Sequence, residues 1–212
     1  MLLLGHRGAR ATSGIPENTI PSFDLALQHG CNGFEFDVRR TSDGHAVVCH
    51  DPKADGRTIA RTARIQLATL PTLEEVLQRY REKAFLDIEL KVAGVEEHVL
   101  KALRDCPPEK GFVISSFLPL VLTKMRELDQ TVPLGLIADR RTALARWRKL
   151  QVQYVIVEKR LATRKLNEEA HAEGRKFFVW TVNDRRTMTR LEEYGVDGVI
   201  SDDTELLVQT LS

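Results

Sequence analysis

Along this chain, short apolar runs rich in β-branched and aromatic residues alternate with stretches whose apolar positions recur every three to four residues. That alternation is the pattern of repeated strand–helix units around a parallel sheet. Eight runs read as strands: LLLG (2–5), GFEFDV (33–38), AFLDIEL (84–90), FVISS (112–116), PLGLIA (133–138), YVIV (154–157), KFFVWTV (176–182) and DGVIS (197–201). Helical periodicity fills the intervals, as in TLEEVLQRYRE from Thr72, GVEEHVLKALRD from Gly94 and TRKLNEEAHAEG from Thr163. The last of these closes on a glycine stop signal, Gly174. One segment breaks the alternation: HAVVCHD from His45, placed after an SDG turn, predicts a β-hairpin arm.

Eight strands each followed by a helix make the α/β fold of a (β/α)8 TIM barrel, whose size runs from about 200 to about 250 residues without large insertions. With 212 residues the loops must be short, and the chain reads as a single domain over 1–212. A doubly wound open sheet would place a G-x-G-x-x-G turn after its first strand, and none is present. Barrel active sites sit at the C-terminal ends of the strands. His6 and Arg7 stand at such an end, directly after the first strand.

Composition narrows function mostly by exclusion. The apolar fraction of 42% and charged fraction of 29% are ordinary for a globular protein, and a net charge of +1 makes no case for nucleic acid. DRRTALARWRK from Asp139 has its charges spread around a helical period and predicts a solvated helix face. Cys31, Cys49 and Cys106, odd in number and without CxxC spacing, predict buried thiols rather than disulfides or a thiolate metal site. No run resembles a signal peptide or a membrane span, so the expected location is cytoplasmic with no stable membrane anchor.

Carboxylates interrupt two of the apolar strands. Period-two alternation puts Glu35 and Asp37 on one face of FEFDV, and Asp87, Glu89 and Lys91 together in LDIELK. Buried alone, each acid would cost at least about 2 kcal/mol, so the group needs a cation. An all-oxygen ligand set selects Mg²⁺, Ca²⁺ or Mn²⁺ over zinc; the alternative is ion pairing with Lys91 and arginines. His29, His45, His98 and His171 lie on helical or turn stretches and read as structural. His6 and His50 each follow an apolar strand and would project into the barrel mouth. Two imidazoles and a hard cation are the equipment for phosphodiester cleavage.

The blocks GHRGA, PENT, FEFDVRRTSDGHAVVCHD, IELK, SSF, WTVND and GVDGVISD, in that order, resemble the glycerophosphodiester phosphodiesterase family from His6 to Asp202. The resemblance implies a TIM barrel that hydrolyses glycerophosphodiesters, its small-molecule substrates, to sn-glycerol 3-phosphate and an alcohol with one divalent cation, Mg²⁺ or Ca²⁺, with Mn²⁺ a further option. It places the metal ligands on Glu35, Asp37 and Glu89, the catalytic acid/base histidines on His6 and His50, and phosphate contacts on Arg7 and Lys91. Glu17 would orient Arg7 or a histidine, Asn18 or Thr19 would cap the first helix, and Trp180 would form a flat wall beside the substrate. Two features depart from the family: the loop RATSGI before PENT is longer, and the insertion after the second strand is shortened to the segment from Asp51 to Pro71. A mouth without that lid leaves lysophospholipase D as an alternative activity, and a non-catalytic barrel binding a phosphoester as a third reading that would have no use for the histidine pair.

Overall fold

The computed structural model describes all 212 residues, Met1–Ser212. In chain order the elements are β1 (Leu2–His6), α1 (Ile20–Gln28), β2 (Gly33–Arg40), β3 (Ala46–Val48), β4 (Lys53–Ala54), β5 (Arg57–Thr58) and α2 (Leu73–Tyr80). Then follow β6 (Phe85–Leu90), α3 (Glu96–Asp105), β7 (Phe112–Ser116), α4 (Pro119–Leu128), β8 (Leu134–Ala138) and α5 (Arg141–Leu144). The chain ends with β9 (Tyr154–Glu158), α6 (Arg164–Ala172), β10 (Lys176–Trp180), α7 (Arg185–Tyr194), β11 (Gly198–Ser201) and α8 (Thr204–Leu211). Strand order β1-β11-β10-β9-β8-β7-β6-β2, closed by β1 against β2, makes an eight-stranded parallel barrel ringed by helices. All eight strands read from the sequence are its staves.

Alternation within each strand divides the molecule into two apolar layers. Phe34, Phe36 and Val38 of β2 and Leu86, Ile88 and Leu90 of β6 face outward into the large core beneath the helices, where Phe23 of α1 stacks on Phe34 with ring centroids 4.2 Å apart. Inside the barrel a smaller cluster of Leu4, Phe85, Val113, Ile137, Tyr154, Ile156, Phe178 and Ile200 fills the lower layers. The interior above that plug is polar, and it opens at the C-terminal ends of the strands.

The predicted arm is β3, antiparallel to the outer half of β2 with Val38 opposite Val48 and Arg40 opposite Ala46. Beyond it the shortened insertion folds as the β4–β5 hairpin and two 3₁₀ turns, and Ile59 and Leu67 pack with Val47 in a small satellite core. Local signals set the helix starts: Thr72 and Glu75 form a reciprocal capping box on α2, while Thr163 and Asp184 cap α6 and α7. The segment from Asp139 departs from its prediction. It forms one turn, α5, and a separate 3₁₀ turn over Trp147–Lys149, because Trp147 is buried in the core rather than solvated. The cysteines are free, Cys31 buried and the other two only half-buried. Burial alone lifts the Cys31 thiol to about 12. No helix is long and apolar enough to cross a membrane.

Candidate active site

At the end of β1 the chain turns sharply. Arg7 adopts φ 54° and Gly8 φ 82°, and a Cβ on Gly8 would lie 2.4 Å from Ser22 Oγ, so only glycine fits there. The left-handed Arg7 is a strained position of the kind that persists where surrounding contacts dictate it. Its backbone N–H donates to Glu35 Oε2 at 3.0 Å. Its guanidinium donates to Glu17 Oε1 at 2.8 Å and lies 3.2 Å from Asp37 Oδ2.

Strand register then stacks the acids. Glu35 pairs with Asp87 and Asp37 with Glu89 across β2 and β6, so all four carboxyls point into the barrel, Asp37 and Glu89 one step nearer the mouth. One oxygen from each of Glu35, Asp37 and Glu89 falls within 4.8 Å of the others. Lys91 Nζ sits 2.7 Å from Glu89 and 3.2 Å from Asp37. The expected ion pairs therefore exist, yet Arg7 and Lys91 are the two permanent cations beside four buried carboxyls, the His6 ring stands 3.8 Å from Glu35 Oε2, and Glu35 Oε1 is buried with no partner.

The carboxyls respond differently to this environment. Burial and the neighbouring Asp37, Glu89 and Asp87 push Glu35 well above the usual carboxylate range. Burial likewise lifts Asp87 and Glu89 to about 7, despite Ser115 at the former and Lys91 at the latter. Burial also acts to raise Asp37, but Lys91, the Asn18 amide and Arg7 together outweigh it and hold this carboxyl low. A set of three oxygen ligands with unsatisfied negative charge fits a hard divalent cation.

His6, 9% exposed, reaches Asp202 Oδ1 with Nδ1 at 2.7 Å. Burial lowers its basicity, partly offset by that hydrogen bond. With Nδ1–H donated to a carboxylate, Nε2 keeps its lone pair for the cavity. His50 is more open and bonds Asp51 Oδ1 through Nδ1 at 2.8 Å; its backbone carbonyl accepts from Arg39 Nε at 2.8 Å, which anchors the end of the arm. His6, Arg7, Glu35, His50, Asp87, Glu89, Lys91, Phe117 and Trp180 all line one cavity of about 110 Å³ above Ile137, Ile156 and Ile200.

A sequence profile of the glycerophosphoryl diester phosphodiesterase family matches residues 6–99 and 60–206. The chain belongs to that family. A glycerophosphodiester phosphodiesterase of Caldanaerobacter subterraneus is 30% identical over 98% of this chain and 96% of its own length. The structure of one from Thermotoga maritima superposes with a TM-score of 0.82 at 27% identity, covering 99% and 97% of the two chains. An Oleispira antarctica phosphodiesterase, solved in complex with the product sn-glycerol-3-phosphate, gives 0.86 at 24% identity over 100% and 96%. The enzyme is thus a phosphoric diester hydrolase that acts as a glycerophosphodiester phosphodiesterase.

Several residues that shape the enzyme's site were not assigned from sequence. Asp202 orients His6 from the far end of the chain, and Asn183 and Arg10 hold Asp202 in turn. Arg10 also pairs with Glu17, so the longer first loop is tied down rather than loose, and Glu17 serves Arg7 and not a histidine. Asn18 is not the helix cap; Thr19 is. Asn18, left-handed at φ 57° and buried, instead donates to Asp37 Oδ2 at 2.8 Å and accepts from the Asp37 N–H at 3.2 Å. Asn18→Ala strands both groups in the interior, and unfolding in urea should show a loss of about 1–3 kcal/mol. Trp180 packs edge-on against Phe117 at 5.5 Å, and its indole N–H is buried without a partner, so the wall it forms also offers a donor. The other four histidines lie outside the cavity: His29 bonds Thr204, His98 bonds Glu74, His171 bonds Asp197, and the His45 ring lies edge-on to that of His98.

Proposed function

We propose that the enzyme hydrolyses glycerophosphodiesters to sn-glycerol 3-phosphate and an alcohol by a two-histidine mechanism that depends on a divalent cation held by Glu35, Asp37 and Glu89. The observation that carries this reading is the convergence of His6, His50 and the under-compensated acids on one cavity. A bound Mg²⁺ or Ca²⁺ supplies Lewis-acid stabilisation of charge on the phosphoryl oxygens.

Arg7 and Lys91 bind the phosphate, exchanging part of their present pairing with the acids for its oxygens. His6, its Nδ1 fixed by Asp202, takes the proton of the glycerol hydroxyl next to the phosphate ester. That oxygen attacks phosphorus to form a cyclic phosphate while the bond to the departing alcohol breaks. His50, on the open side of the cavity, gives that alcohol its proton. Water then opens the ring, with the two histidines exchanging roles.

Turnover of glycerophosphocholine, glycerophosphoethanolamine, glycerophosphoglycerol and lysophosphatidylcholine, each with Mg²⁺, Ca²⁺ or EDTA, tests the reading. Cleavage of the glycerophosphodiesters that EDTA abolishes supports it, and cleavage that survives EDTA removes the cation from it. Arg7 gives a sharper check, because arginine offers a planar two-pronged donor and lysine a point charge. Arg7→Lys should lower kcat/KM by about tenfold or more. An unchanged value would leave Arg7 only its ion pairs with Glu17 and Asp37.

A further inference from the structure

The floor of the cavity carries a group that the reaction above leaves unused. Asp87 is 1% exposed. Its Oδ1 accepts a hydrogen bond from Ser115 Oγ at 2.5 Å, whereas its Oδ2 is buried with no partner at all. The metal-ligand set does not include it. A carboxylate oxygen left without a donor in the interior is costly, and such orphans concentrate where a ligand completes them. The layer beneath Asp87 is apolar and closed, with Phe85 packed against Tyr154 and Phe178. A donor for Oδ2 must therefore come from the cavity side.

Depth within the barrel says which part of a substrate arrives there. Asp37, Glu89, Arg7 and Lys91 stand nearest the mouth and belong with the phosphate and its cation, whose third ligand, Glu35, lies level with Asp87 on the neighbouring strand; Asp87, one register step deeper than Glu89, is outside that ligand set. A glycerophosphodiester entering phosphate-outermost would lead with the end of its glycerol remote from phosphorus. We propose that Asp87 Oδ2 accepts a hydrogen bond from that terminal glycerol hydroxyl, making the site specific for a glycerol whose far end is unesterified. The inference rests on the glycerophosphodiester reading and narrows it. In a 1-acyl lysophospholipid the same oxygen is an ester with no proton to give, so Asp87 stays unpaired and the acyl chain meets a closed floor. A pocket built to pair with a hydroxyl rejects the analogue lacking it by factors of about 10² and upward.

Two phosphocholine diesters separate the outcomes, glycerophosphocholine and its 2-hydroxypropyl analogue. The analogue keeps the hydroxyl beside the phosphate and lacks the terminal one. The wild-type enzyme should prefer glycerophosphocholine in kcat/KM by about 10² or more and leave lysophosphatidylcholine uncut. In Asp87→Ala the two rates should converge to within a few-fold, and the shape-preserving Asp87→Asn should reduce the preference at least several-fold. A wild type indifferent to the terminal hydroxyl overturns the proposal, as does an Asp87→Ala enzyme that loses both activities equally. Calorimetric binding of glycerol 3-phosphate against 2-hydroxypropyl phosphate gives the same comparison without catalysis. A preference for glycerol 3-phosphate that Asp87→Ala abolishes upholds the subsite even if no diester is turned over, an outcome that would fail the proposed reaction alone. Equal binding of both by the wild type overturns it.

Discussion

Stripped of divalent ions, the enzyme will keep its fold and lose turnover, and Mg²⁺ or Ca²⁺ will restore it. The size of the loss follows from charge. Once the acids give up their protons, as metal binding requires, two cations facing four buried carboxylates leave the cavity negative, and a phosphodiester brings a further negative charge into it. A dication that offsets this is worth several kcal/mol in the transition state, and at about 1.4 kcal/mol per decade the loss should reach about 10³-fold. Replacing one ligand, as in Asp37→Ala or Glu89→Ala, should have a comparable effect on rate in the presence of metal. Full activity in either variant would refute the site.

The same carboxyls predict how stability moves with pH. Glu35, Asp87 and Glu89 hold protons in the folded enzyme above the pH at which they would release them unfolded. Between the unfolded values near 4 and the folded values of about 7 for Asp87 and Glu89, with Glu35 displaced in the same direction, the native state binds more protons, so the metal-free enzyme becomes less stable as pH rises through that window. His6, whose basicity is lowered, opposes this below about pH 6.5, but it is one group against three. Below pH 4 the low-lying Asp37 and Asp202 reverse the trend, since their charged forms are the paired ones. Metal binds the deprotonated carboxyls, so its stabilisation should be larger at pH 8 than at pH 5.5. Thermal melts with and without Mg²⁺ at both values check the sign; an equal shift at the two would place the ion elsewhere.

What could be read from the chain and what could not divides along sequence distance. The barrel was legible because each strand carries its own two-faced pattern, and FEFDV and LDIELK display their acids on the face that the outer core does not claim. That His6 and His50 line the cavity was legible because each ends an apolar run. Asp202 was not, since its partner is His6 at the opposite end of the chain and only closure of β11 on β1 joins them. Asn18 reads as a helix start by local propensity, and only the tertiary fold shows its side chain turned inward to Asp37. The broken helix after Asp139 failed for a similar reason: charge periodicity was visible, and the burial of Trp147 that interrupts it was not.

His6→Ala should lower kcat by on the order of 10²–10⁴-fold, the usual contribution of a positioned acid or base. Asp202→Asn is the more informative change because it separates the imidazole from what prepares it. In the native enzyme burial makes His6 less basic and the bond to Asp202 returns part of that basicity. Removing the negative charge keeps the ring in place but weakens it as a base and loosens its tautomer. The loss in kcat should therefore be smaller than for His6→Ala, about 10–10²-fold. The acid limb of the kcat/KM profile should shift to lower pH, since a weaker base is protonated only at lower pH. Movement of the alkaline limb instead, again to lower pH, would mean that His6 acts in its protonated form, donating to the departing alcohol, and that His50 is the base. An unchanged profile with an unchanged rate would take His6 out of proton transfer altogether.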